Sequence, residues 1–210
     1  MLRRSLAPAA VALLWFGVVL GAAVLLGVAL RAAEAPGGST AFDRSVLHWL
    51  VAHRTGALTA AAHTLSTIGS QKVLLPAVAL VALALLVVRR RVRAAVVLVV
   101  AWFGALELYT LAKIVVGRPR PPHALWLAPA GGKAFPSGHA VQSLATFVAL
   151  AFALSVLVPR LPRRAGVAVA VVLAAGVGWS RAYLAVHWAT DVLGGWVIAA
   201  AWIAGVTRRS

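Results

Sequence analysis

The chain has 210 residues, of which 62% are hydrophobic, with a formal net charge of +16 and only four acidic residues. Its mean hydropathy of +0.95 lies far above that of a soluble globular domain, and its length suits one compact unit embedded in a membrane. The absence of cysteine excludes disulfides and thiolate metal sites. The cations sit at the ends of apolar runs without interleaved stacking aromatics, which argues against nucleic-acid binding.

Ser5 to Leu30 is an uncharged run long enough to cross a hydrocarbon core of about 30 Å with some tilt. Arg3 and Arg4 precede it as in a signal peptide, but the run exceeds the usual signal core of about 7–15 residues, so a retained anchor is expected. Ala35-Pro36-Gly37-Gly38-Ser39 marks a loop, and Ser39 to Asp43 offers a cap for a following helix. Leu47, Leu50 and Val51 share one helical face, as do Leu58, Leu65 and Ile68, predicting one or two amphipathic helices at the outer surface. Alternatively, the stretch 31–72 holds a short or re-entrant segment. Further apolar runs follow: Val73 to Val88, Ala94 to Ala112 with Glu107 inside it, Gly138 to Val158 closed by Pro159, Ala165 to Trp179, and Val192 to Thr207. No β alternation competes. The expected fold class is all-α: a polytopic membrane bundle of six transmembrane helices, with amphipathic surface helices between the first and second.

Cations orient such a bundle, because short inner loops carry the excess of Lys and Arg. With both termini inside, the inner segments hold Arg3, Arg4, Arg89, Arg90, Arg91, Arg93, Arg160, Arg163, Arg164, Arg208 and Arg209. The longer outer stretches hold Arg31, Arg44, Arg54, Lys72, Arg118 and Lys133, apart from the cations considered next. This orientation predicts both termini in the cytoplasm.

Nearly all the remaining chemistry lies in three tracts: Lys113 to Pro121, Pro136 to His139, and Ser180 to Asp191. The orientation above brings all three to the outer side of the membrane. An ionisable group near the membrane centre costs roughly 2.5–3.5 kcal/mol even on the lenient scale, so this concentration points to an enzyme. His187 and Asp191 are four apart and share a face if helical, where a carboxylate can fix the imidazole tautomer and support a cation formed after attack. The same spacing also suits a structural capping pair. His139 follows Ser137 and Gly138 at the start of an apolar run, where a helix N-terminus suits phosphate and glycine permits close approach. An ordinary capped helix start reads the same way. Lys113 and Arg120 together match an oxyanion, or else a snorkelling lysine followed by a solvated loop.

Taken together, the tracts read lysine, six residues, Arg-Pro; then Pro-Ser-Gly-His; then Ser-Arg, five residues, His, three residues, Asp. This resembles the three signature motifs, in order, of the type 2 phosphatidic acid phosphatase superfamily, over about Val73 to the C-terminus. The resemblance implies a single integral-membrane phosphatase domain over 1–210, with an N-terminal span and outer region at 1–72 and a catalytic core at 73–210. It implies that His187 is the nucleophile forming a phosphohistidine, that Asp191 orients it, and that His139 is the acid and then the base. Lys113, Arg120, Ser137, Gly138 and Arg181 would hold the phosphoryl oxygens. No cofactor or metal ion is implied. The implied substrate is a lipid phosphate or diphosphate of the phosphatidic acid, phosphatidylglycerophosphate or undecaprenyl diphosphate class, met in the bilayer. A lipid phosphotransferase would carry the same motifs, and a membrane transporter is the runner-up from another class.

Other residues have plainer readings. His48, His53 and His63 match no helical metal spacing and read as structural. His123 reads as a solvated loop residue near Arg120. Glu107, an acid inside an apolar run, would pair with a site cation or make an interhelical contact. Trp126, Trp179 and Trp188 suit an interfacial belt, and Trp188 also stands beside His187.

Overall fold

A computed structural model describes residues 3–35 and 38–208, with side chains from residue 10 onward. The loop signal at Pro36-Gly37 and the cationic side chains of Arg3, Arg4 and Arg209 lie outside the described residues. Among the described residues, eight α-helices follow one another: α1 (Arg3–Ala32), α2 (Ala41–Ala52), α3 (Gly56–Ile68), α4 (Gln71–Val87), α5 (Val92–Val116), α6 (Gly138–Leu157), α7 (Arg163–Tyr183) and α8 (Ala189–Thr207). The molecule is an all-α, multi-pass membrane bundle.

Among the described residues, α1, α5, α6, α7 and α8 are each long and apolar enough to cross a membrane. The expected run at Val73 to Val88 becomes α4, whose 17 residues rise only about 26 Å at 1.5 Å per residue, short of a ~30 Å core. Helix α3 supplies the rest: α3 and α4 together pass as one span, bent by 43° at the Gly69-Ser70 break. A side chain at Gly69 would collide with Val177 of α7, so glycine permits the close approach at this bend. The ambiguous region thus divides into α2, a short amphipathic helix, and α3, which with α4 is long and apolar enough for one bent span or a re-entrant segment. Leu47 and Leu50 are buried as the periodicity requires. The face expected for α3 is only partly right: Leu58 is exposed, and Ala62 is the residue that packs inward.

Residues of small volume line the helix contacts, among them Ala101, Ala105, Ala112, Ala145 and Ala199, while Leu13, Leu14, Leu80, Ile114 and Val172 point outward. This inversion suits a bilayer, where close packing rather than water exclusion holds helices together. The α5–α8 contact shows the principle. Trp202 donates through Nε1 to the Ala101 carbonyl at 3.0 Å, and its ring occupies the space a Cβ at Gly104 would need. Gly104→Ala is therefore expected to destabilise the bundle by about 1–3 kcal/mol, read as a lowered unfolding midpoint in detergent. An unchanged midpoint would contradict this packing.

The arginines at 89–93, 160–164 and 208 collect at one end of the bundle, where α4 meets α5, α6 meets α7, and α8 terminates. The other end receives the C-terminal turns of α5 and α7 and the N-terminal turns of α6 and α8. The three polar tracts meet there.

Candidate active site

Each tract is a helix end whose backbone groups must find partners. Helix α5 stops at Gly117, a left-handed residue with φ of 65°. In its last turn, Lys113 donates through Nζ to the carbonyls of Lys133 (2.6 Å) and Ala134 (3.1 Å). Arg120 donates to the carbonyls of Gly131 (2.7 Å) and Gly132 (3.0 Å), and to that of Val186. One short loop thereby fixes both cations.

Ser137 is the N-cap of α6 and donates its backbone N–H to the Asp191 carbonyl at 3.0 Å, tying the second tract to the third. Its hydroxyl makes no capping bond. Helix α7 carries Ser180 and Arg181 in its last turn and ends at Tyr183, after which left-handed Ala185 (φ 55°) reverses the chain. The N–H groups of Val186 and His187 both point to the Arg181 carbonyl. His187 is therefore not helical, contrary to the same-face argument. It precedes Trp188, the N-cap of α8, and Asp191 lies in the first turn. The two side chains still meet, because a residue just before a helix and one in its first turn both border the helix entrance.

His187 is 4% exposed, with Nδ1 at 3.3 Å from Asp191 Oδ2 and Nε2 at 3.1 Å from Arg120 Nη1. A guanidinium can only donate, so Nε2 accepts and the ring proton resides on Nδ1, facing the carboxylate. Asp191 Oδ2 also accepts from the Trp188 N–H (2.9 Å), while Oδ1 accepts from Arg118 (2.6 Å). Burial, reinforced by the charges of Lys113, Arg120 and Arg181 and by His139, holds the His187 imidazole well below its ordinary pKa of 6.5. The ring is neutral, with Nε2 unprotonated and its lone pair accepting from Arg120.

A cavity of about 280 Å³ joins these groups, lined by Lys113, Arg120, Gly138, His139, Arg181 and His187, with Gln71, Tyr109 and Gln142 deeper in the bundle. Two buried polar atoms beside it, Ser137 Oγ and Arg181 Nε, have no hydrogen-bond partner among the described residues. A cluster of cations with spare donors is a site for an anion with several oxygens. Among the described residues, no group of three His, Cys, Asp or Glu side chains is arranged to hold a metal ion.

The sequence profile of the PAP2 superfamily matches residues 93–210. The chain belongs to this superfamily. Among solved structures, a transmembrane PAP2-type phosphatidylglycerolphosphate phosphatase from Bacillus subtilis has the same fold, with a TM-score of 0.80 at 24% identity, over 90% of this chain and 94% of that one. Aquifex aeolicus LpxE aligns with a TM-score of 0.62 at 22% identity, over 81% of this chain and 98% of that one. No curated protein matches the chain by sequence.

In this PAP2 chain, the residues expected at the site converge, and three others join them. Arg118, read as an outer-loop cation, is fully buried and touches Asp191. Ser66 of α3 accepts from Arg181 Nη1. Arg54 donates to the Leu125 (2.9 Å) and Tyr183 (3.1 Å) carbonyls, clamping α2 over the loop and the end of α7. The one sequence sign for Arg118 is its place in Arg-Pro-Arg-Pro, two residues before Arg120, in a chain almost without acids to pair with it. Trp188 anchors the first tract by donating to the Pro119 carbonyl at 2.9 Å. His123 packs on Trp126, with ring centroids 4.6 Å apart, and does not line the cavity. Glu107 is half-buried on α5 and makes no ion pair among the described residues.

Proposed function

We propose that the chain is a lipid phosphatase that hydrolyses a lipid phosphate or diphosphate through a phosphohistidine on His187. The observation that carries this reading is the convergence, on one cavity, of a neutral imidazole with an unprotonated Nε2 and three cationic side chains. His187 Nε2 attacks phosphorus as the P–O bond to the lipid breaks, and His139 gives its proton to the departing oxygen. His139 then takes a proton from water, which attacks the phosphohistidine and releases inorganic phosphate. Asp191 stabilises the imidazolium that forms in the first step.

Lys113, Arg120 and Arg181 meet the charge of the transferring phosphoryl group, with Ser137 Oγ and the backbone at Gly138 as further donors. Three fixed cations serve an electrostatic role that needs no metal ion. The bilayer is where this enzyme meets its substrate, and the whole of 1–210 acts as one unit with its catalytic core at 73–210. Arginines gathered at the opposite end support an orientation with both termini in the cytoplasm and the site on the extracytoplasmic side.

The test is phosphate release from a lipid phosphate by purified protein in detergent with chelator present. Release that persists in chelator and vanishes in His187→Ala is the expected result; release only on adding a divalent ion would exclude the reading. The pH profile adds a second check. Because the His187 pKa is depressed, its neutral, reactive form persists as pH falls through the ordinary histidine range. The acidic limb of kcat/KM, which reports the free enzyme, should therefore fall below pH 6.5. A limb at about pH 7 or above would contradict the depressed pKa of His187.

A further inference from the structure

Three of the chain's four acidic residues end on one arginine. Arg118 has a fully buried side chain, and every guanidinium nitrogen is engaged: Nε with Glu34 (2.6 Å), Nη2 with Asp43 (2.7 Å), and Nη1 with Asp191 (2.6 Å) and Thr190 Oγ1 (2.7 Å). Asp43 is equally buried and holds two helices at once. Its Oδ2 accepts from the N–H (3.2 Å) and hydroxyl (2.9 Å) of Thr40, closing the capping box of α2. Its Oδ1 accepts from the N–H and hydroxyl of Thr190, both at 2.9 Å, in the first turn of α8. The start of α2 is thus bonded to the turn of α8 that carries Asp191.

Neither Arg118 nor Asp43 lines the cavity, so neither is placed to touch substrate. Both reach the reacting atoms only through Asp191. Arg118 occupies Asp191 Oδ1, and this leaves Oδ2 turned toward His187 Nδ1. A carboxylate anchored on one oxygen by a bidentate-capable, fully engaged guanidinium cannot rotate away from the imidazole. Burial works against the charge of Arg118, but Asp191 and Asp43 outweigh it and hold the guanidinium above its ordinary pKa. Glu34 and Asp43 also lie outside the 93–210 stretch that the superfamily profile matches.

We propose that Asp43 and Arg118 are positioning residues: α2 reaches the catalytic pair through an Asp43–Arg118–Asp191 relay that orients the carboxylate toward His187. This inference rests on the function proposed above. On this account α2, read from the sequence as a surface element, is a working part of the site. Orientation of the nucleophile affects the chemical step, whereas the phosphate contacts are made by other residues, so the relay should act on kcat rather than KM.

Asp43→Asn keeps the shape of the side chain and removes its charge. With radiolabelled lipid phosphate in detergent, kcat should fall on the order of 10- to 100-fold while KM stays within about 3-fold of wild type. In an Asp191→Asn background the same substitution should cost less than about 2-fold, because its route to His187 is already cut. A purely structural role for Asp43 would give the same loss in both backgrounds, and that result, or a wild-type kcat in the single variant, overturns the relay. If Asp43→Asn does not fold, Thr190→Val decides. It removes hydroxyl contacts from Asp43 and Arg118 and leaves every charge in place; lowered kcat at constant KM supports the relay, and unchanged kcat overturns it. His187→Ala is measured alongside. If that variant keeps turnover, the phosphohistidine reading itself fails; if it is inactive while Asp43→Asn equals wild type, only the relay fails.

Discussion

His187→Ala is expected to abolish phosphate release, lowering kcat by on the order of 10⁴-fold or more. The substitution removes the group that, among the described residues lining the cavity, combines an unprotonated ring nitrogen with a carboxylate able to stabilise the resulting cation. The cations remain, so substrate should still bind, and KM should change far less than kcat. Protein quenched in alkali during turnover of a radiolabelled lipid phosphate should carry label in the wild type and none in His187→Ala. Label retained by the variant, or residual turnover near the wild-type rate, would place the nucleophile elsewhere. Fold is not expected to confound this result. His187 contributes one side chain to a turn whose backbone is held independently by the Arg181 carbonyl.

The second large effect is expected from Asp191→Asn, at about 10³- to 10⁴-fold in kcat. Size and shape are conserved, but an amide can present an N–H where the carboxylate presented a lone pair. Facing His187 Nδ1, that N–H would favour the tautomer protonated on Nε2, and the attacking lone pair would be lost. The bond from Arg118 Nη1 would still find the amide oxygen, while Asp43 and Glu34 would still pair with the guanidinium. No cation is stranded, but the Trp188 N–H loses its acceptor, so stability should fall by about 1–2 kcal/mol rather than the 3–5 kcal/mol typical of breaking a buried pair outright. The measurement is kcat together with the unfolding midpoint in detergent. A large loss of both would assign Asp191 to structure; a large loss of kcat alone assigns it to the tautomer.

The site was legible to the extent that its chemistry is written in short spacings. Lys113, Arg120, Ser137, Gly138, His139, Arg181, His187 and Asp191 stand out as candidates because helix ends confine each tract to a few residues. What misled was the assumption that spacing of four means a shared helix. His187 and Asp191 meet across an N-cap, with Trp188 between them in the cap position. Arg118 was invisible for another reason. A cation in an outer loop is ordinarily solvated, and only the arrival of Glu34, Asp43 and Asp191 from three different elements makes its burial affordable.

Local composition and period were enough to specify a membrane bundle, most of its spans and the end at which polar residues collect. These follow from hydropathy and charge, properties that each segment carries without reference to its neighbours. The bend that completes the α4 span with α3, the route of α2 to the start of α8, and the carboxylates around Arg118 belong to the packed chain. Asp43 and Arg118 are 75 positions apart, and Arg118 and Asp191 are 73 apart. Ion pairs across such separations depend on how helices seat against one another, and a single sequence has no period that records it.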